Sequence, residues 1–121
     1  LSEAEEHLKR AIYDQRKILG EKHTDYLDTL EQLGLLYQKQ GRLKEAKVSL
    51  QKCLNLRKEI LGENHADVGL TSLYLSRLLA EMGDKSDARS YKDKSVLILT
   101  KSLGTEHPST KEALKGVHGL F

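Results

Sequence analysis

Apolar residues fall on helical spacing along almost the whole chain. Over residues 25–40, Tyr26, Leu30, Leu33 and Tyr37 stand at i, i+4, i+7 and i+11, one stripe of an α-helix. Gly41 follows and permits a tight reversal, because glycine tolerates the left-handed conformation that helix ends often need. A second helical run begins near Leu43, carries Ala46, Leu50, Cys53, Leu54 and Ile60, and stops at Leu61-Gly62. The same plan then recurs, with a helix to Met82, a turn at Gly83-Asp84 and a helix to about Leu103. Ser2 to Leu19 reads as a lone second helix, and Ser109 to about Val117 as a lone first helix. Pro108 sits at a helix start, where its missing N–H is harmless. No segment alternates with period two, so the pattern predicts an all-α fold.

The pattern is a true repeat. Leu19-Gly20-Glu21-Lys22-His23, Leu61-Gly62-Glu63-Asn64-His65 and Leu103-Gly104-Thr105-Glu106-His107 place their glycines 42 residues apart. With that shift Leu33 falls on Leu75, Leu36 on Leu78, Gly41 on Gly83, Ala46 on Ala88, and Leu8 on Leu50. A repeat of this length marks a solenoid, whose units bury their apolar faces only by stacking on neighbours. The expected organisation is a single domain over residues 1–121. It comprises a lone second helix at 1–20, full repeats at 25–62 and 67–104, and a first helix at 108–121. The opening leucine stands in mid-pattern, as expected of a segment from a longer array.

Leu33-Gly34-x-x-Tyr37, followed by Gly41, Ala46, Leu50 and a small residue at Cys53, resembles the tetratricopeptide repeat signature. The usual period of that family is about 34 residues. The longer period here, with its Leu-Gly-x-x-His loop, is similar to the repeats of kinesin light chains. The resemblance implies a right-handed superhelix of antiparallel helix pairs that offers a concave, protein-binding groove. The chain departs from the family pattern in several places. It has Glu31-Gln32-Leu33-Gly34 and Tyr74-Leu75-Ser76 where Asn-Asn-Leu-Ala is typical, and Ser76 and Leu79 where the first repeat has Gly34 and Tyr37. Thr24 and Ala66 replace the loop proline in two of three loops. A kinesin-light-chain preference for acidic peptides with an aromatic residue is therefore not carried over.

In that fold the first helices line the groove, and its residues lie opposite the packing stripe. The candidates are Asp28, Glu31, Leu35, Gln38 and Lys39 in one repeat, and Leu70, Leu73, Tyr74, Arg77 and Glu81 in the next. Leu35 lies about half a turn, ~180°, from the Tyr26/Leu33/Tyr37 stripe. The helix with Leu70 and Leu73 is apolar on two sides, so these two leucines either face the groove or pack against a neighbouring repeat. Leu35, Leu73, Tyr74 and Arg77 combine the apolar, aromatic and arginine character enriched at binding hot spots. Arg77 and Lys39 suit acidic side chains of a partner, and Asp28, Glu31 and Glu81 suit basic ones.

Composition narrows the field. Charged residues make up 31% of the chain, yet the formal net charge is only +2, which argues against a dedicated nucleic-acid binder. Lys39, Arg42, Lys44 and Lys47, and again Lys85, Arg89, Lys92 and Lys94, alternate with acids and read as solvated helix faces. No apolar run reaches the roughly 18 residues of a membrane span. The one cysteine, Cys53, cannot form an internal disulfide, which favours an intracellular, cytoplasmic setting.

Signals for chemistry are few. His23, His65 and His107 recur once per repeat, too far apart to share a metal, and are expected to shape loops by bonding to helix ends. His7 and His118 read as surface residues. Cys53 aligns with Ala11 and Ser95, so close packing explains it better than nucleophilic catalysis. Turns or helix ends account for the glycines except Gly34, which matches the family's close-contact glycine, and Gly69, Gly116 and Gly119, which have no evident role. The reading is a non-enzymatic adaptor or scaffold that binds a peptide segment of a protein partner, with no cofactor or metal. The alternative is a self-associating solenoid segment whose lone terminal helices complete one another's repeats in neighbouring copies.

Overall fold

A computed structural model describes residues 2–115, which form six α-helices. They are α1 (Glu3–Ile18), α2 (Thr24–Lys39), α3 (Leu43–Leu61), α4 (Ala66–Glu81), α5 (Lys85–Leu103) and α6 (Pro108–Lys115). No strand occurs among the described residues. The helices lie where the apolar spacing placed them, within about one residue. The expected continuation of the last helix to Val117, together with His118, Gly116 and Gly119, lies outside the described residues.

The boundaries are set by short-range chemistry. Each of the three loop histidines caps the helix after it: Nδ1 of His23, His65 and His107 accepts from the backbone N–H of Asp25, Asp67 and Ser109 at 3.1, 3.0 and 3.1 Å. This satisfies one of the amides that a helix start otherwise leaves unpaired. Ser2 and Asp84 serve α1 and α5 in the same way, each accepting from the residue three positions on, at 3.2 Å. At the other ends, Gly20, Gly41, Gly62, Gly83 and Gly104 all have φ between +79° and +89°.

The chain packs as two compact units, Leu1–Ile60 and Leu61–Phe121. In the first, Tyr26, Leu27 and Leu30 of α2 close on Cys53 of α3, with Ile12 of α1 and Leu56 and Ile60 of α3 around them. Cys53 is fully buried and its thiol donates to the Leu27 carbonyl at 3.5 Å, in keeping with a packing role. A β-carbon on Gly34 would lie 2.9 Å from Leu50 Cγ, so the missing side chain lets α2 approach α3.

In the second unit, Leu73 of α4, Leu99 of α5 and Ala113 of α6 form the centre of a cluster with Leu70, Val96 and Leu103. Gly69 has a role that the sequence did not reveal. A β-carbon there would lie 3.0 Å from both Ile98 Cγ2 and Leu99 Cγ, so α4 rests closely on α5 at this point. The 42-residue shift pairs it with Leu27 and Lys111, not with Gly34, so the overlay gave no sign of a close contact there.

Two of the supposedly solvated basic residues are not on open faces. Lys92 is buried, because it occupies the position of the core residue Leu50 in the preceding repeat. Arg42 is half-buried, lying 4.4 Å over the Tyr37 ring and donating to Glu5 at 2.7 Å.

Candidate partner-binding faces

Helix α2 turns Leu27, Leu30, Leu33 and Tyr37 into the core of the first unit. Its other side carries Asp28, Glu31, Leu35, Gln38 and Lys39, none of them buried. Leu35 is half-buried, with Glu31, Gln38 and Lys39 near it along the helix, so an apolar side chain stays partly open amid polar ones.

The two acids of this face are tied from beneath. Arg57 of α3 is 3% exposed, and its Nη2 lies 2.9 Å from Asp28 Oδ1 and 3.6 Å from Glu31 Oε2. Its Nε also donates to Cys53 Sγ at 3.2 Å. Burial opposes the guanidinium charge, but the bond to Cys53 and the two carboxylates outweigh it and hold Arg57 protonated. Asp28 and Glu31 thus share one internal cation, while Asp28 stays open to water. The 42-residue shift places Arg57 on Leu99, a core position, and that was the available signal for a buried arginine.

In the second unit the candidates divide. Leu73 is 3% exposed and packs on Leu99 and Ala113, with half-buried Leu70 beside it. These leucines serve the helix packing that the sequence left as their second reading. Tyr74 is half-buried, and Arg77 and Glu81 are exposed. Arg77 Nη2 donates to Glu112 Oε2 of α6 at 2.9 Å. Bonds from Lys115 and then Arg77 hold the Glu112 carboxyl below the usual carboxylate range. Burial pushes the Lys92 amine down, and the charges of Arg77 and Arg89 add to that.

Among the described residues, no group of three or more His, Cys, Asp or Glu side chains could hold a metal ion. No helix among them is long and apolar enough to cross a membrane.

Comparisons with known proteins agree with this architecture. The tetratricopeptide repeat family profile matches residues 1–59 and 29–96. Among solved structures the chain is similar to a Podosopora anserina protein of kinesin-light-chain type with nearly identical TPR-like repeats. The match has 26% identity and a TM-score of 0.86, and covers 95% of this chain and 55% of that one. A single-substitution form of that protein matches at 25% identity and a TM-score of 0.87, over 95% of this chain and 54% of the other. The chain thus spans about half the length of these structures. No curated protein matches it significantly. With helix pairs and capping loops recurring in register, the chain belongs to the tetratricopeptide repeat family, with repeats like those of kinesin light chains.

Proposed function

We propose that the chain is a protein-interaction module, an adaptor or scaffold element without chemistry of its own, that takes a peptide segment of a partner on its first-helix faces. On α2 the contact residues are Asp28, Glu31, Leu35, Gln38 and Lys39. On α4 they are Tyr74, Arg77 and Glu81, with Leu70 at the margin and Leu73 supporting the helix from the core. The observation that carries this reading is Leu35, an apolar side chain left partly open opposite the packed stripe of α2. A repeat fold whose family binds proteins supports it. The only cysteine is a buried packing residue, and the recurrent histidines are helix caps, so neither is spare for catalysis. A reduced, cytoplasmic setting suits a thiol that is in no disulfide.

Affinity capture from lysate, comparing the native chain with Leu35→Arg and with Arg77→Glu, tests the proposal. Both variants should keep the native helical circular dichroism, since neither side chain is buried. Partners retained by the native chain and lost by a variant support binding on that face. An identical catch from all three chains removes α2 and α4 from the site.

A further inference from the structure

Arg77 stands on the proposed contact face of α4 with a carboxylate already on its guanidinium. Its Nη2 donates to Glu112 Oε2 at 2.9 Å, and Lys115 Nζ donates to Glu112 Oε1 at 2.9 Å, so each oxygen of Glu112 holds one cation. The side chains of Arg77 and Glu112 are 43% and 50% exposed. That openness belongs to the position in the repeat and not to the place of α6 in the chain. Asp28, the counterpart of Glu112, is 58% exposed on α2, which has α1 before it and α3 after it.

The bridge is not what holds α6 in place. Ala113 is fully buried in the cluster with Leu73 and Leu99, and the buried Thr110 hydroxyl donates to the Leu99 carbonyl at 3.2 Å. These contacts seat α6 whether or not Glu112 is paired. An ion pair as exposed as this one adds little to stability and exchanges its partners readily. Asp28 differs, because its carboxylate is tied to the buried Arg57 of α3. Glu112 reaches back instead to the arginine on the open face of α4. The charge of Arg77 also acts against that of the buried Lys92 amine, so the two cations stand within electrostatic reach of each other. A carboxylate that arrives at Arg77 is attracted by both.

We infer that Glu112 is a built-in competitor for Arg77, a stand-in for an acidic side chain of the partner segment that has to be displaced before the segment binds. The competition presupposes the proposed contact face of α4. Displacement exchanges one carboxylate for another at the guanidinium, and Lys115 stays with the released Glu112. A segment with no carboxylate at this point replaces nothing that it removes, so the bridge selects against it.

Titration of the full chain with an alternating Glu-Ser octapeptide, read by NMR at the Arg77 side-chain Nε–H, tests the inference. Its Gln-Ser analogue is the uncharged control and should leave the Arg77 signal in place. Glu112→Gln should bind the acidic peptide about two- to fivefold more tightly than the native chain, the range for removing an exposed internal ion pair. Glu106→Gln takes the same charge from the loop before α6, where the carboxylate pairs with Lys111, and should change the affinity far less. Both glutamates are exposed, so the two variants should keep the native circular dichroism. Equal affinity in the native chain and Glu112→Gln overturns the inference. So does an equal gain from Glu106→Gln, or an Arg77 signal that the acidic peptide leaves unmoved in Glu112→Gln. Affinity capture with Arg77→Glu judges the contact face separately: partners lost there, with no effect of Glu112→Gln, keep α4 in the site and remove only the competition.

Discussion

Arg57 and Asp28 join α3 to α2 through a guanidinium–carboxylate contact of 2.9 Å in which the arginine is buried and the aspartate is not. The asymmetry fixes what each side chain contributes. Asp28 can exchange its partner for water, so Asp28→Asn should cost about 1 kcal/mol or less. Arg57→Ala removes a buried stem and strips Cys53 and Asp28 of a donor, for a loss of roughly 2–4 kcal/mol. Arg57→Leu installs the residue found at the same position in the next repeat, Leu99, and should recover much of that loss by packing. Urea denaturation of the three variants should give this order. Equal losses from Asp28→Asn and Arg57→Ala would show that the ion pair, not the buried stem, dominates.

The glycines divide into two mechanisms that alanine separates. Gly34→Ala adds a carbon against the fully buried Leu50, which has no open space to move into. Alanine's better helix propensity returns about 1 kcal/mol, while overpacking costs about 1–3 kcal/mol, so a net loss is expected. Gly41→Ala meets no atom within 4 Å but must adopt φ +79°, which costs about 1–2 kcal/mol. A compensating Leu50→Val should therefore rescue Gly34→Ala in part and leave Gly41→Ala untouched. Thermal melts of the two double variants would show the difference.

The limits of sequence reading follow the same division. Helices and turns were legible because each rests on local chemistry, such as the 3.6-residue stripe or a glycine after it. The loop histidines were legible as helix-end ligands because they recur once per repeat, just before a helix. What one helix's stripe cannot show is which of its faces is covered by two neighbours. Leu73 therefore had two readings, and only its packing on Leu99 and Ala113 separated them. Arg57, Lys92 and Glu5 were missed for a related reason. A charged residue reads as surface until its exact counterpart in the repeat is consulted, and two of these three stand at leucine positions elsewhere in the chain. Leu35 has polar neighbours on its own face and no packing stripe to join, and its place in a binding face stands as a proposal.

The histidine caps make a prediction about side-chain chemistry. His65 Nδ1 accepts from the Asp67 amide at 3.0 Å, a role that any short side chain with a well-placed acceptor can fill. His65→Ala should destabilise the second unit by about 1 kcal/mol, and His65→Asn should cost little or nothing. Hydrogen exchange at the first amides of α4 is the direct readout. Faster exchange in the alanine variant alone marks loss of the cap, whereas equal behaviour of both variants would assign His65 a different role.

Glu5 links the stability of the first unit to pH. It is 0% exposed, with Lys9 Nζ 3.0 Å from Oε2 and Arg42 Nη1 2.7 Å from Oε1. The bond from Lys9 foremost, and then Arg42, hold its carboxyl below the ordinary value of 4.5, against the opposing effect of burial. A carboxyl whose pKa is lower folded than unfolded binds protons more readily in the unfolded chain. Its contribution is complete above the unfolded value and disappears as pH falls from there through the lowered folded value. Denaturation midpoints measured from neutral pH down to about 2 should therefore decline across the carboxylate range. Glu5→Gln should begin less stable at neutral pH, because an uncharged amide satisfies Lys9 and Arg42 less well. It should also decline less steeply in acid than the native chain, so the two curves converge. Parallel curves would mean that Glu5 contributes packing alone and that other carboxylates carry the acid sensitivity.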